Sequence, residues 1–292
     1  MTSRLASAVR AIGRTSIGRA VTTFFSRNRT DNAAGLTYYS VLSLFPALIV
    51  GVSVIGMLDP GATGRFLANF NDVLPESVLS LLDKVVGNLQ SNRQAAGAVA
   101  LLGTLTSLWA AGNYIAAFGR AGDLVTGTDT GRAWWKTLLV RLGLTAGCGL
   151  LAIVGVITVT SGSSVASTVG GLWGQPDATA ALWGWLRWLV LAAVIITITV
   201  VLYRYAPSRN LAARELIPGA LLGMVLAVAA SAAFGMYVSS VADYDATYGS
   251  LAGVIIFLVW LWLLNTVLLL GFQYGVTRGE SAPANGGAEE EG

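Results

Sequence analysis

Long uncharged hydrophobic blocks recur along the chain, separated by short polar stretches. The longest block runs from Tyr248 to Val276 without a charge or a proline. As a helix it would be roughly 43 Å long at ~1.5 Å per residue, which is more than a bilayer's hydrocarbon core of about 30 Å requires. The pattern predicts six transmembrane helices, at about 34–58, 95–118, 137–160, 184–206, 216–241 and 248–276.

The polar stretches predict interfacial elements and loops. Residues 1–30 carry several arginines and no acid, and they predict a basic amphipathic helix lying on an anionic leaflet. A disordered basic tail and an arm that binds nucleic acid are the alternatives. A second amphipathic helix is expected at 76–91 and a loop at 161–183. The sequence from 277 to 292 is typical of a disordered acidic tail.

Composition and charge place these blocks in a membrane. The chain is 54% hydrophobic and 11% charged, whereas soluble domains are about 25% charged. With the N-terminus in the cytoplasm, the outer side holds only four of the 18 Lys and Arg residues, namely Arg65, Lys84, Arg93 and Arg187. The prediction is an all-α polytopic bundle of six transmembrane helices, residues 31–276, with both termini cytoplasmic.

The side chains that most enzymes need are scarce. The chain has no histidine, which excludes His-ligated metal sites, a Ser-His-Asp triad and imidazole acid–base catalysis. Its single cysteine, Cys148, cannot form an intramolecular disulfide. Asp243 and Asp245 form a pair on the outer side, where cellular RNA is absent. We therefore expect no catalytic residue, no metal, no cofactor and no nucleic-acid partner.

Polar side chains inside predicted spans are the candidate site, because polar groups are expensive there. The candidates are Tyr38, Tyr39, Ser43, Asn113, Arg141, Arg204, Asn265 and Gln273.

One hypothesis is a polar cavity shared by five of these residues, with Arg141 near its cytoplasmic mouth: Tyr39, Ser43, Asn113, Arg141 and Asn265. The alternative is ordinary hydrogen bonding between helices, at ~0.6 kcal/mol per contact. Snorkelling to a membrane edge is the alternative for Arg141, Arg187 and Arg204.

Glycine pairs four residues apart indicate close helix packing or a dimer face. They occur at Gly143/Gly147, Gly219/Gly223, Gly249/Gly253 and Gly271/Gly275.

Four passages together resemble the YihY/BrkB family of bacterial inner-membrane proteins, once labelled ribonuclease BN. They are the stretch from Ala33 to Pro46 (AAGLTYYSVLSLFP), the stretch from Trp109 to Trp135 with Asn113, the stretch from Tyr203 to Pro207 (YRYAP) leading to Pro218, and the stretch from Tyr248 to Gly253 (YGSLAG). Gln273 stands where relatives commonly carry an acid, so any coupling through that acid is in doubt here. The resemblance implies an inner-membrane location and roles in envelope integrity, serum resistance or transport.

The leading hypothesis is a transporter or translocator of a lipid or an amphipathic, anionic solute, with membrane lipids as partners. The alternative is a non-transporting scaffold that docks envelope or lipid-handling partners through 59–94. A homo-oligomer or an envelope protein is the expected protein partner. A ribonuclease is disfavoured, because the carboxylates are not clustered and histidine is absent.

Overall fold

The computed structural model describes residues 16–27, 29–58, 93–128, 134–160, 176–209, 211–240 and 252–281. Side chains at 45–58, 93–100 and 176–184, and at a few single positions, lie outside the described part. The described residues form seven α-helices and no strand, which confirms the all-α prediction for them. The helices are α1 (Ser16–Ser26), α2 (Thr30–Leu58), α3 (Arg93–Thr126), α4 (Trp134–Thr160), α5 (Pro176–Tyr205), α6 (Ala213–Ser240) and α7 (Ala252–Ser281).

Each of the six long helices overlaps one hydrophobic block, with differences at the ends. α3 continues past 118 to Thr126, and α7 continues past 276 to Ser281. The predicted loop at 161–183 is wrong from Pro176 onwards, because α5 begins there. Proline suits the first position of a helix, where its missing N–H would have no partner anyway. The predicted helix at 76–91, residues 1–15 and residues 282–292 lie outside the described part.

α1 is the described portion of the basic amphipathic segment, and it is helical rather than disordered. Ala20 and Phe24 are buried, and α1 packs against α7. Ile17 and Phe25 are about half exposed within the described structure. An apolar face that no protein covers is the surface an interfacial helix offers to a leaflet.

Four described helices are long and apolar enough to cross a membrane: Trp135–Gly155, Trp185–Tyr205, Ala213–Ser239 and Ala252–Glu280. They expose large apolar side chains, among them Leu150 at 66% and Trp185 at 80%. Soluble monomers rarely expose contiguous apolar surface of this kind, whereas lipid chains cover it without penalty. The described structure is therefore that of a multi-pass membrane protein.

Among the described residues, a cluster of wholly buried side chains lies at one end of the bundle, where α3, α5 and α7 end and α6 begins. Three wholly buried rings, of Phe118, Tyr203 and Phe272, meet there with centroids 5.2–5.9 Å apart. The Tyr203 hydroxyl donates to the carbonyl of Leu268, so the polar tip of this ring is satisfied. We call these three residues the aromatic core.

Glycines bring α6 and α7 into backbone contact beside the aromatic core. A Cβ on Gly219 would overlap the carbonyl oxygen of Gly271. A Cβ on Gly271 would likewise lie 2.6 Å from the carbonyl oxygen of Gly219. These two predicted glycine pairs therefore pack against each other, as small residues do between membrane helices. Gly143 and Gly147 on α4 instead face open space, and Gly249 lies outside the described residues.

The end of α3 is fixed to the link between α5 and α6. Gly127, at φ +64°, terminates α3, and the Thr128 amide donates to the Asp123 carbonyl at 3.1 Å. The buried Asp123 carboxylate accepts hydrogen bonds from the amide and the hydroxyl of Ser208, at 2.6 and 3.0 Å. We call this pair of hydrogen bonds the Asp123 clasp.

A buried arginine also stabilises this end of the bundle. Arg29, between α1 and α2, is 3% exposed and donates from Nη2 to the Leu124 carbonyl in the last turn of α3. A positive charge at a helix C-terminus is stabilising. Burial lowers the pKa of the Arg29 guanidinium, and the charge of Arg27 lowers it further. Arg29 thereby anchors the start of α2 to the end of α3.

Candidate functional site: a groove beside Arg141

An open groove of about 380 Å³ lies over α3, between α2 and α4, with α7 at its base. Ligand pockets commonly measure 300–1,000 Å³. The lining residues are Ser40, Ser43 and Leu44 of α2, Leu108, Ala111 and Tyr114 of α3, Thr145 and Gly149 of α4, and Leu261 of α7. We call this space the groove.

The hydroxyl groups of the groove turn towards their own helices. Ser40 Oγ donates to the Leu36 carbonyl at 2.9 Å, and Ser43 Oγ donates to the Ser40 carbonyl at 3.0 Å. Thr145 Oγ1 donates to the Arg141 carbonyl at 2.7 Å. Each hydroxyl has one proton to donate, so these three offer the groove no free donor. The wall is therefore more apolar than its residue types suggest.

A polar node lies beneath the groove and joins three helices. Tyr114 donates its hydroxyl proton to Asn265 Oδ1 at 3.0 Å. Asn265 Nδ2 lies 3.3 Å from Thr37 Oγ1, 3.3 Å from Ser40 Oγ and 2.9 Å from the Leu261 carbonyl. Asn265 is 4% exposed, so it links α2, α3 and α7 rather than facing a solute.

Arg141 is not a lining residue but lies beside the groove, one helical turn before the lining residue Thr145, and a Cβ on Gly112 would lie within 4 Å of both side chains. Its Nε donates to the Gly112 carbonyl at 2.9 Å and its Nη2 donates to Asn113 Oδ1 at 2.6 Å. Both acceptors are neutral, and no carboxylate among the described residues pairs with Arg141. A Cβ on Gly112 would lie 3.6 Å from Nη2, so the guanidinium packs closely on α3. These two contacts use two of the five guanidinium N–H donors, so further donors remain for an anion.

The predicted site residues divide between the groove and other places. Ser43 lines the groove, Arg141 and Asn113 are hydrogen-bonded to each other beside it, and Asn265 lies below it. Tyr38 is 62% exposed, and its ring meets that of the half-buried Tyr39 edge-on at 5.4 Å, away from the groove lining.

Arg204 and Gln273 lie apart from the groove. The Arg204 guanidinium lies over the Tyr205 ring at 5.4 Å. Gln273 is buried, and its Nε2 donates to Thr277 Oγ1 at 3.2 Å while its Oε1 has no partner within the described residues. Neither side chain contributes to the lining.

Tyr114 and Thr145 belong to the site, although sequence reasoning did not select them. Both carried a usable signal. Tyr114 follows Asn113 within the second hydrophobic block, and Thr145 stands four residues after Arg141, on the same helical face. Within the described chain, no group of three or more His, Cys, Asp and Glu residues could hold a metal ion.

The fold and the groove define a helical, multi-pass membrane protein with an apolar groove between its helices and an arginine beside it. The family described as virulence factor BrkB matches residues 20–291. The chain therefore belongs to the BrkB family, which confirms the resemblance drawn from the sequence.

Curated relatives carry two kinds of name. A protein of Bacillus subtilis, YfkH, named ribonuclease-like, is 28% identical over 82% of this chain and 86% of its own length. UPF0761 membrane proteins of Alkalilimnicola ehrlichii and Tolumonas auensis are 29% and 27% identical, over 84% and 85% of this chain. The chain covers 54% of the first of these two and 80% of the second. No solved structure matches the fold.

Proposed function

We propose that this BrkB-family protein is a transporter or translocator of an amphipathic, anionic solute in the bacterial inner membrane. It crosses the membrane six times, with both termini in the cytoplasm. The overlap of six long helices with six hydrophobic blocks and the distribution of basic residues support this topology. Arg141 then lies about 10 Å from the start of α4, on the cytoplasmic side.

The observation that carries this proposal is a cation, Arg141, that has no acidic partner among the described residues and lies beside an open space. A charged group in a membrane interior is costly, and such groups commonly mark substrate pathways. Two neutral acceptors orient the Arg141 guanidinium and leave its charge uncompensated. An anionic group entering the groove would supply that compensation through charge-assisted hydrogen bonds.

A complementation experiment tests the function. Arg141→Gln should abolish rescue of a deletion strain's envelope phenotype while leaving expression and thermal stability near those of the wild type. Arg187→Gln is the matched control, because Arg187 lies on α5 beside the Trp188 ring, on a helix that does not line the groove. Equal rescue by both variants would contradict the transport role of the groove and favour the scaffold.

Cysteine labelling tests the topology. Cysteines introduced at Thr63 and at Gln175, in a Cys148→Ala background, should react with a membrane-impermeant thiol reagent added to intact cells. Reaction only after permeabilisation would reverse the proposed orientation.

A ribonuclease assay tests the name that YfkH carries. We propose that the purified protein lacks metal-dependent ribonuclease activity above that of a mock preparation. Activity that Asp243→Ala abolishes in a folded protein would contradict this.

A further inference from the structure

We infer that the occupant of the groove is an anionic membrane lipid, which enters sideways from the bilayer, lays an acyl chain along the groove and places its phosphate at Arg141. This inference rests on the proposed function and names its substrate class. The occupant is thus a lipid rather than a water-soluble anion. Three features of the groove support it.

The first feature is where the groove opens. Leu105 and Leu142 lie three residues before the lining residues Leu108 and Thr145 on their helices, and they are 55% and 54% exposed. Leu108 itself is 39% exposed. Apolar side chains exposed on membrane helices meet lipid, so the mouth of the groove faces hydrocarbon rather than water. An occupant that comes from the bilayer reaches the groove without crossing a polar barrier.

The second feature is the apolar character of the wall. The three lining hydroxyls donate to their own helices, and the Tyr114 hydroxyl donates to Asn265. A sugar or another polar solute would lose its hydrogen bonds to water here and gain few in return. An acyl chain loses nothing of that kind, because it moves from one apolar environment to another.

The third feature is the Arg141 guanidinium beside the groove, whose described lining residues carry no charge. Arg141 and Thr145 share a face of α4 one turn apart, so the guanidinium lies in line with the wall of the groove. One cation beside an apolar channel matches one anionic headgroup on a hydrocarbon chain. A zwitterionic headgroup would bring its own ammonium towards Arg141, and like charges repel.

Lipid retention tests the inference without requiring transport. The purified protein is reconstituted in nanodiscs that contain phosphatidylglycerol and phosphatidylcholine in equal amounts. It is then extracted into detergent, and the bound lipid is quantified by mass spectrometry. The wild type should retain phosphatidylglycerol in preference to phosphatidylcholine. Arg141→Gln should reduce that preference about tenfold or more, as expected for the loss of hydrogen bonds to a charged group.

Two glycines of α4 allow a matched test of whether an acyl chain lies in the groove. A Cβ on Gly149 or on Gly143 meets no atom within 4 Å, so a larger side chain can begin at either position without a clash. Only Gly149 lines the groove. Gly149→Leu should reduce retention of phosphatidylglycerol, whereas Gly143→Leu should retain as much as the wild type.

Phosphate binding and lipid retention together distinguish a lipid from a free anion. If inorganic phosphate binds equally well to the wild type and to Gly149→Leu but not to Arg141→Gln, and lipid retention is the same in all three proteins, the site binds a soluble anion and the lipid inference is wrong. Lipid retention that both Arg141→Gln and Gly149→Leu leave intact also overturns it. Retention that both variants lower, together with full rescue by Arg141→Gln in cells, supports the lipid site and contradicts the transport role.

Discussion

The aromatic core and the groove are neighbours on α3, yet they are packed in opposite ways. Tyr114, at the base of the groove, and Phe118, in the core, are one helical turn apart. Around Phe118 the rings interlock and backbones touch through glycine. Around Tyr114 a space of about 380 Å³ remains open. A close-packed interior resists rearrangement, so the core is suited to hold the helices while the groove accepts an occupant.

The largest loss of stability should come from adding a methyl group to the closely packed contact beside the aromatic core. Gly219→Ala places a methyl group against the Gly271 carbonyl, and backbone atoms on both helices cannot move aside. Overpacking costs typically about 1–3 kcal/mol and occasionally more, and a contact with backbone atoms belongs at the upper end of that range. Thermal unfolding in detergent measures the loss. The control is Gly143→Ala, which adds the same methyl group in open space and should not lower the unfolding temperature. Equal unfolding temperatures for the two variants would contradict the backbone contact.

A smaller effect should follow from opening the Asp123 clasp. Asp123→Ala removes two hydrogen bonds to a buried carboxylate and leaves the Ser208 amide without its acceptor. We expect a loss of roughly 2 kcal/mol in the free energy of unfolding and faster proteolysis of the link between α5 and α6.

The matched comparison for the clasp is Glu280→Gln, which breaks the exposed ion pair with Arg209 on the same link. Surface ion pairs contribute less than about 1 kcal/mol, so this variant should resist proteolysis like the wild type. If Asp123→Ala is equally resistant, the clasp does not hold the link.

The smallest losses of stability should come from removing single tyrosine hydroxyls, one in each region. Tyr203→Phe removes a wholly buried hydrogen bond to the Leu268 carbonyl and should cost about 1 kcal/mol. Tyr114→Phe removes the bond to Asn265, but Tyr114 is only partly buried and borders the open groove, where Asn265 keeps its contacts with Thr37 and Ser40 and the neighbouring side chains have room to adjust. The second change should therefore lower the unfolding temperature less than the first. The reverse order would mean that the groove is the more tightly packed region.

The sequence predicted the helices well, because hydrophobic blocks and the lack of charge are local properties. It also selected Arg141 and Asn113, since polar groups stand out in apolar blocks. It could not show that Arg204 lies against Tyr205 or that Tyr38 faces outwards, because helix rotation depends on packing between distant segments. Pro176 was missed as a helix start, since its small and polar neighbours are equally typical of a loop.

Pairing between glycines was equally hidden from the sequence. The Gly143/Gly147 pair and the Gly219/Gly223 pair have the same spacing. One faces open space and the other contacts α7, and nothing local distinguishes them.

A structure determined in lipid nanodiscs, without detergent, tests the central claim most directly. We expect elongated density for an acyl chain along Ser43, Leu108 and Gly149. This density should end in a compact headgroup within hydrogen-bond distance of the Arg141 guanidinium. A groove closed by its own side chains, or lipid density that passes Arg141 without contact, would contradict it.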